Sequence, residues 1–153
     1  MKFKFRMQKV LEHRKTLEDI AKSDFEKAQQ VLNSEIEKLQ KMIDDKRHSR
    51  VVAYDTQVSD KSTGAEKKFI LTQADDFQKL QDIRIERQKQ AVQIAEKEVE
   101  AKREILKNKA IDYKIIDKFK ENKKEQFKEE VKKKEQSEVD EIVTLRYAAG
   151  NKK

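Results

Sequence analysis

The chain has no cysteine, no proline, no tryptophan and only two glycines in 153 residues. Each absence excludes something. Without cysteine there is no disulfide framework and no thiolate chemistry. Without proline, and with glycine only at positions 64 and 150, nothing from 1 to 63 or from 65 to 149 is forced to break a helix. Two isolated glycines also rule out a phosphate-cradling loop of the usual kinds. No stretch approaches the ~18–20 consecutive apolar residues of a membrane span. The opening Met1-Lys2-Phe3-Lys4-Phe5-Arg6 is basic but lacks the apolar core of a signal peptide, so a cytoplasmic location is expected.

What is present is charge. Charged residues make up 44% of the chain and apolar ones 35%. That is too little apolar material for a compact core but enough for a narrow seam between two helices. The net charge of +7 is densest between Lys107 and Lys134, where lysines recur nearly every turn. Such an excess favours an acidic partner, an anionic surface or nucleic acid. Much of it is also explained as a solvated helix face with Glu-to-Lys pairs four apart, such as Glu98–Lys102, Glu129–Lys133 and Glu130–Lys134.

The apolar residues form two ladders that mirror each other about residue 62. The first half carries Val10, Leu17, Phe25, Leu32 and Leu39. The second carries Ile85, Val92, Val99, Leu106 and Tyr113, an unbroken seven-residue spacing. Paired antiparallel, Leu39 meets Ile85, Leu32 meets Val92, Phe25 meets Val99, Leu17 meets Leu106 and Val10 meets Tyr113. The residue numbers of each pair share a nearly constant sum, so a single register serves the whole seam. The same register sets Phe5 opposite Phe119 and Met7 opposite Ile116.

The predicted fold is all-α, a long antiparallel two-helix coiled-coil hairpin in one domain spanning 1–153. Helix one is expected over 3–58 and the turn over 59–63. Helix two is expected over 64–146, ~120 Å long, with a loose tail from 147 to 153. Thr63 with Glu66 three residues on reads as a capping box at the start of helix two. The second helix is the longer. Residues 122–146 have no partner in this register and form an overhanging C-terminal helix of ~37 Å. It still carries Phe127, Val131, Val139, Ile142, Val143 and Leu145, and apolar side chains on a lone helix call for a partner that covers them.

No constellation supports catalysis. His13 and His48 lie ~50 Å apart along one helix and cannot share a metal. Carboxylates on a helix surface stay solvated and lack the burial that tunes a general acid. No enzyme activity, cofactor or metal is expected. Nucleic-acid binding is disfavoured because acidic residues interrupt every basic run, and an antiparallel hairpin lacks a forked basic grip.

Three stretches carry a family signature. The opening reads Phe3-x-Phe5-Arg6-x-Gln8-Lys9-Val10-Leu11-x-x-Arg14. The middle reads Phe77-x-x-Leu80-x-x-Ile83, followed by Gln88. The end reads Lys133-x-Glu135-Gln136-x-Glu138-Val139-Asp140-Glu141. Together they resemble the flagellar export protein FliJ family over nearly the whole chain, the opening being the most specific.

The resemblance implies a non-enzymatic component of the flagellar type III export apparatus. Proteins of this kind form a two-helix coiled coil similar to part of the gamma stalk of rotary ATP synthases. The implied partners are the hexameric flagellar export ATPase, the cytoplasmic domain of the large export-gate membrane protein, and export chaperones, at the flagellar base beside the inner membrane. The implied ATPase-ring contact is the end away from the turn: Phe3, Phe5, Arg6, Phe127, Val131 and Ile142. The implied export-gate contact lies nearer the turn, at Met42, Phe77 and Gln81. Asp45 and Ser49 stand where the family commonly has aromatic or apolar side chains. Met42 and Phe77 also fit seam positions. A monomer satisfies the seam. The alternatives are a stalk of a virulence-type secretion system, or a generic coiled-coil adaptor or nucleic-acid-binding scaffold.

Overall fold

A computed structural model describes residues 2–61 and 63–151. Ser62, within the expected turn, and Lys152 and Lys153, within the expected tail, lie outside them. The described residues form two long helices packed against each other, with no strands among them: α1, Gln8–Val58, and α2, Gly64–Gly150. By their contacts the residues fall into two units, one of 21–106 and one of 1–20 with 107–153.

In the unit of 21–106, the buried residues on α2 are Gln81, Ile85, Gln88, Val92, Ala95 and Val99. Their steps of four and three trace one continuous stripe down a helix. Ala21 and Ala28 are buried on α1, with Phe25, Leu32 and Leu39 half-buried between and beyond them. The stripe on α2 therefore has two interleaved ladders. One is apolar, Ile85, Val92 and Val99. The other begins with two glutamines.

Those glutamines fix the direction of packing. Gln81 donates through Nε2 to the Met42 carbonyl at 2.9 Å, and Gln88 donates to the Glu35 carbonyl at 2.8 Å. A step of seven forward on α2 matches seven backward on α1, so the helices run antiparallel here. Buried amides without partners would be costly. Lys46 and Asp82 form an ion pair across the same two helices. The Arg103 guanidinium lies 5.8 Å from the Phe25 ring centre.

The turn places Thr63 as the cap of α2. The Glu66 N–H donates to Thr63 Oγ1 and the Thr63 N–H donates to the Glu66 carboxylate, both at 3.3 Å. This reciprocal pair satisfies two amides that the helix start leaves free. Glu98 and Lys102 pair at 3.7 Å on the exposed face.

The unit of 1–20 with 107–153 departs from the ladder in three places. First, α1 starts at Gln8 rather than at residue 3. Residues 2–5 lie outside the helix, and the chain enters it through a turn in which the Gln8 N–H donates to the Phe5 carbonyl at 3.2 Å. Burial alternates along this arm, with Phe3, Phe5 and Met7 half-buried and Lys4 and Arg6 exposed. That is the period of an extended chain.

Second, Leu11 is buried while Val10 is 38% exposed, so the seam passes through Leu11 and not Val10. Arg14 follows one turn on and donates to the Asp112 carbonyl at 2.8 Å. Third, α2 continues through Ala148 and Ala149 to Gly150, past the expected end at 146. Alanine is the strongest helix former, and nothing before Gly150 interrupts the pattern.

Candidate functional site

The extended arm decides the geometry at the chain ends. Phe5 packs on Phe119 with ring centres 5.9 Å apart, in the register that the ladders predict. Phe3 packs on Phe127 at 5.6 Å, well beyond the position near 121 that a helical arm would reach. Residues 2–5 lie outside the helix, and an extended residue advances ~3.3 Å against ~1.5 Å for a helical one, so the arm reaches further along α2. Phe127 therefore has a partner within the chain, contrary to the expectation that every residue after 121 lacks one.

These side chains line an open groove of about 680 Å³. Phe3, Phe5, Phe119 and Phe127 supply apolar walls, while Lys4, Arg6, Lys123 and Glu130 supply charge. The Lys123 ammonium sits 5.5 Å from the Phe119 ring centre, close enough for cation–π attraction. The groove brings together four of the six residues assigned to an ATPase contact: Phe3, Phe5, Arg6 and Phe127. Val131 is half-buried one turn beyond. Ile142 is separate, 51% exposed and eleven residues further along α2. Phe119 and Lys123 were not among the assigned residues, although the register already paired Phe119 with Phe5.

Charge is distributed unequally. Residues 1–20 and 107–153 hold 20 basic and 13 acidic side chains, while residues 21–106 hold 17 of each. The entire net charge of +7 therefore belongs to the unit that carries the aromatic groove.

A second, smaller groove of about 280 Å³ is lined by Lys38, Lys41, Met42, Asp45, Phe77, Gln81 and Arg84. It brings together all three residues assigned to an export-gate contact. They are not equivalent. Gln81 is only 3% exposed and its amide is engaged by the Met42 carbonyl, so it fixes the groove floor and has almost no surface to offer. Met42 and Phe77 are half-buried and remain reachable.

Among the described residues no cluster of His, Asp or Glu could hold a metal ion, and no helix is long and apolar enough to cross a membrane. Among the described residues the molecule is two long helices that carry shallow, open grooves on their surface. The family model described as "Flagellar FliJ protein" matches residues 3–152, and the chain belongs to that family. Membership gives it a role in flagellar type III protein export, as a component that is not an enzyme. No curated protein and no solved structure matches the chain.

Proposed function

We propose that this chain is a central stalk of the flagellar export ATPase, bridging the ATPase ring to the membrane export gate. The observation that carries the reading is the aromatic groove on the positively charged unit. Phe3, Phe5 and Phe127 offer a preformed apolar patch. Basic side chains around such a patch accelerate and orient encounter with an acidic surface. Val131 and Ile142 extend the contact along α2, which overhangs α1 as a single helix and enters the ring.

At the other unit, Met42 and Phe77 present the smaller groove to the cytoplasmic domain of the export-gate protein, with Gln81 holding Met42 in place. The same chain escorts export chaperones. One copy serves each ring, located at the flagellar base on the cytoplasmic side. The family's flagellar description favours this reading over a virulence-type secretion stalk.

Two sets of substitutions test it. Phe127→Ala with Val131→Ala is expected to weaken binding to the assembled ATPase at least tenfold while leaving binding to the gate domain intact. Met42→Ala with Phe77→Ala is expected to do the reverse. Binding of both partners undiminished in both variants would refute the assignment.

A further inference from the structure

The last part of α2 carries a face that nothing covers among the described residues. From Lys132 to Asn151 every residue is exposed, and the helix continues to Gly150. Phe127, Val131, Lys134, Glu138, Glu141 and Leu145 follow one another by four, three, four, three and four. That is the spacing of a coiled-coil seam. Ile142 flanks Glu141, at 51% exposure, and Leu145 is 63% exposed.

The charges along this stretch are segregated. Residues 123–134 hold six lysines and three glutamates, whereas residues 135–145 hold four acidic residues and no basic one. A second copy laid parallel would set lysines against lysines. Laid antiparallel and centred on Gln136, it sets Lys134 against Glu138 and Lys132 against Asp140. The same register puts Phe127 against Leu145 and Val131 against the Glu141–Ile142 step. Two-fold symmetry makes every such contact twice.

We infer that the free chain forms a symmetric antiparallel dimer through residues 127–145 of α2, the occupant of the exposed seam being a second copy of this chain. Phe3 already shields one side of Phe127, and Leu145 of the second copy covers another. The inference does not rest on the export-stalk reading. Where both hold, dimer and ring contact exclude each other, because both use Val131 and Ile142.

Sedimentation equilibrium of the purified full chain, from about 5 to about 200 µM as a short interface requires, tests this. A monomer–dimer equilibrium is expected. Lys134→Glu places like charges in both central layers and should weaken it by roughly tenfold. Adding Glu138→Lys to that variant should restore it, since the two layers are then merely reversed. Leu145→Glu should leave a monomer with unchanged helical circular dichroism. A monomer throughout the concentration range overturns the inference. So does a dimer indifferent to Lys134→Glu and Leu145→Glu, or a double exchange that fails to restore association.

Discussion

The Gln88 amide reaches across the seam to two oxygens of one residue, the Glu35 carbonyl at 2.8 Å and the Glu35 carboxylate at 2.5 Å. Gln88 is 9% exposed, and it sits between apolar layers at Ile85 and Val92. A polar group at such a position gives up stability but ties the two helices to one register.

Replacing Gln88 should separate those two effects. Gln88→Ala removes the bond and leaves a gap, and should cost about 1–2 kcal/mol in urea unfolding followed by circular dichroism. Gln88→Leu completes the apolar stripe and should equal or exceed the original stability. A loss on Gln88→Leu as large as that on Gln88→Ala would mean the hydrogen bonds, not the volume, dominate.

The same contact predicts a pH dependence. The Gln88 amide first, and Lys38 second, hold the Glu35 carboxyl below its usual value of 4.5. A carboxylate whose folded-state pKa is depressed adds stability above its unfolded pKa, and that share is lost as pH falls through the folded value. Glu35→Gln should therefore flatten part of the decline in urea midpoint between pH 5 and pH 3, roughly the range of carboxylate titration. A decline identical in the variant would contradict the account of this site.

The capping pair makes a local prediction. Thr63→Ala removes the oxygen that accepts from Glu66 N–H and should cost about 1 kcal/mol of helix-start stability. Because the cap lies at the exposed turn, the effect should appear as faster amide exchange in the first turn of α2. Exchange near Val92 should not change.

The arm offers a proteolytic test. Its anchor is the Phe3–Phe127 pair, and an aromatic pair contributes about 0.5–1.5 kcal/mol beyond its buried area. Phe127→Ala should free residues 2–7 and accelerate tryptic cleavage after Lys4 and Arg6 by roughly fivefold. Unchanged cleavage would show that Phe5 on Phe119 suffices to hold the arm.

Much of this was legible in the sequence, and the exceptions have causes. The absence of proline, with glycine only at 64 and 150, made two long helices the natural reading. The seven-residue ladder located the buried faces of Ile85, Val92 and Val99, and its register anticipated Phe5 against Phe119. The second ladder was hidden because it opens with Gln81 and Gln88. A count of apolar residues passes over glutamines whose polarity is spent on backbone carbonyls. Gln81 was assigned to a gate contact by the family resemblance alone, and the sequence carries no sign that its side chain is buried.

The arm was hidden for a different reason. Nothing in residues 3–7 forbids a helix. Burying Phe3 and Phe5 against α2 outweighs one extra helical turn, a choice made by tertiary packing and invisible to local propensity. The shift from Val10 to Leu11 follows the polar Arg14, which an apolar count leaves out of the seam.

The central claim is tested most directly by the ATP hydrolysis rate of the cognate export ATPase, measured as this chain is titrated in under conditions where the hexamer assembles. The stalk reading predicts a rate that rises and saturates near one chain per hexamer, with Phe127→Ala and Val131→Ala together abolishing most of the rise. A rate that stays flat across the titration would contradict it.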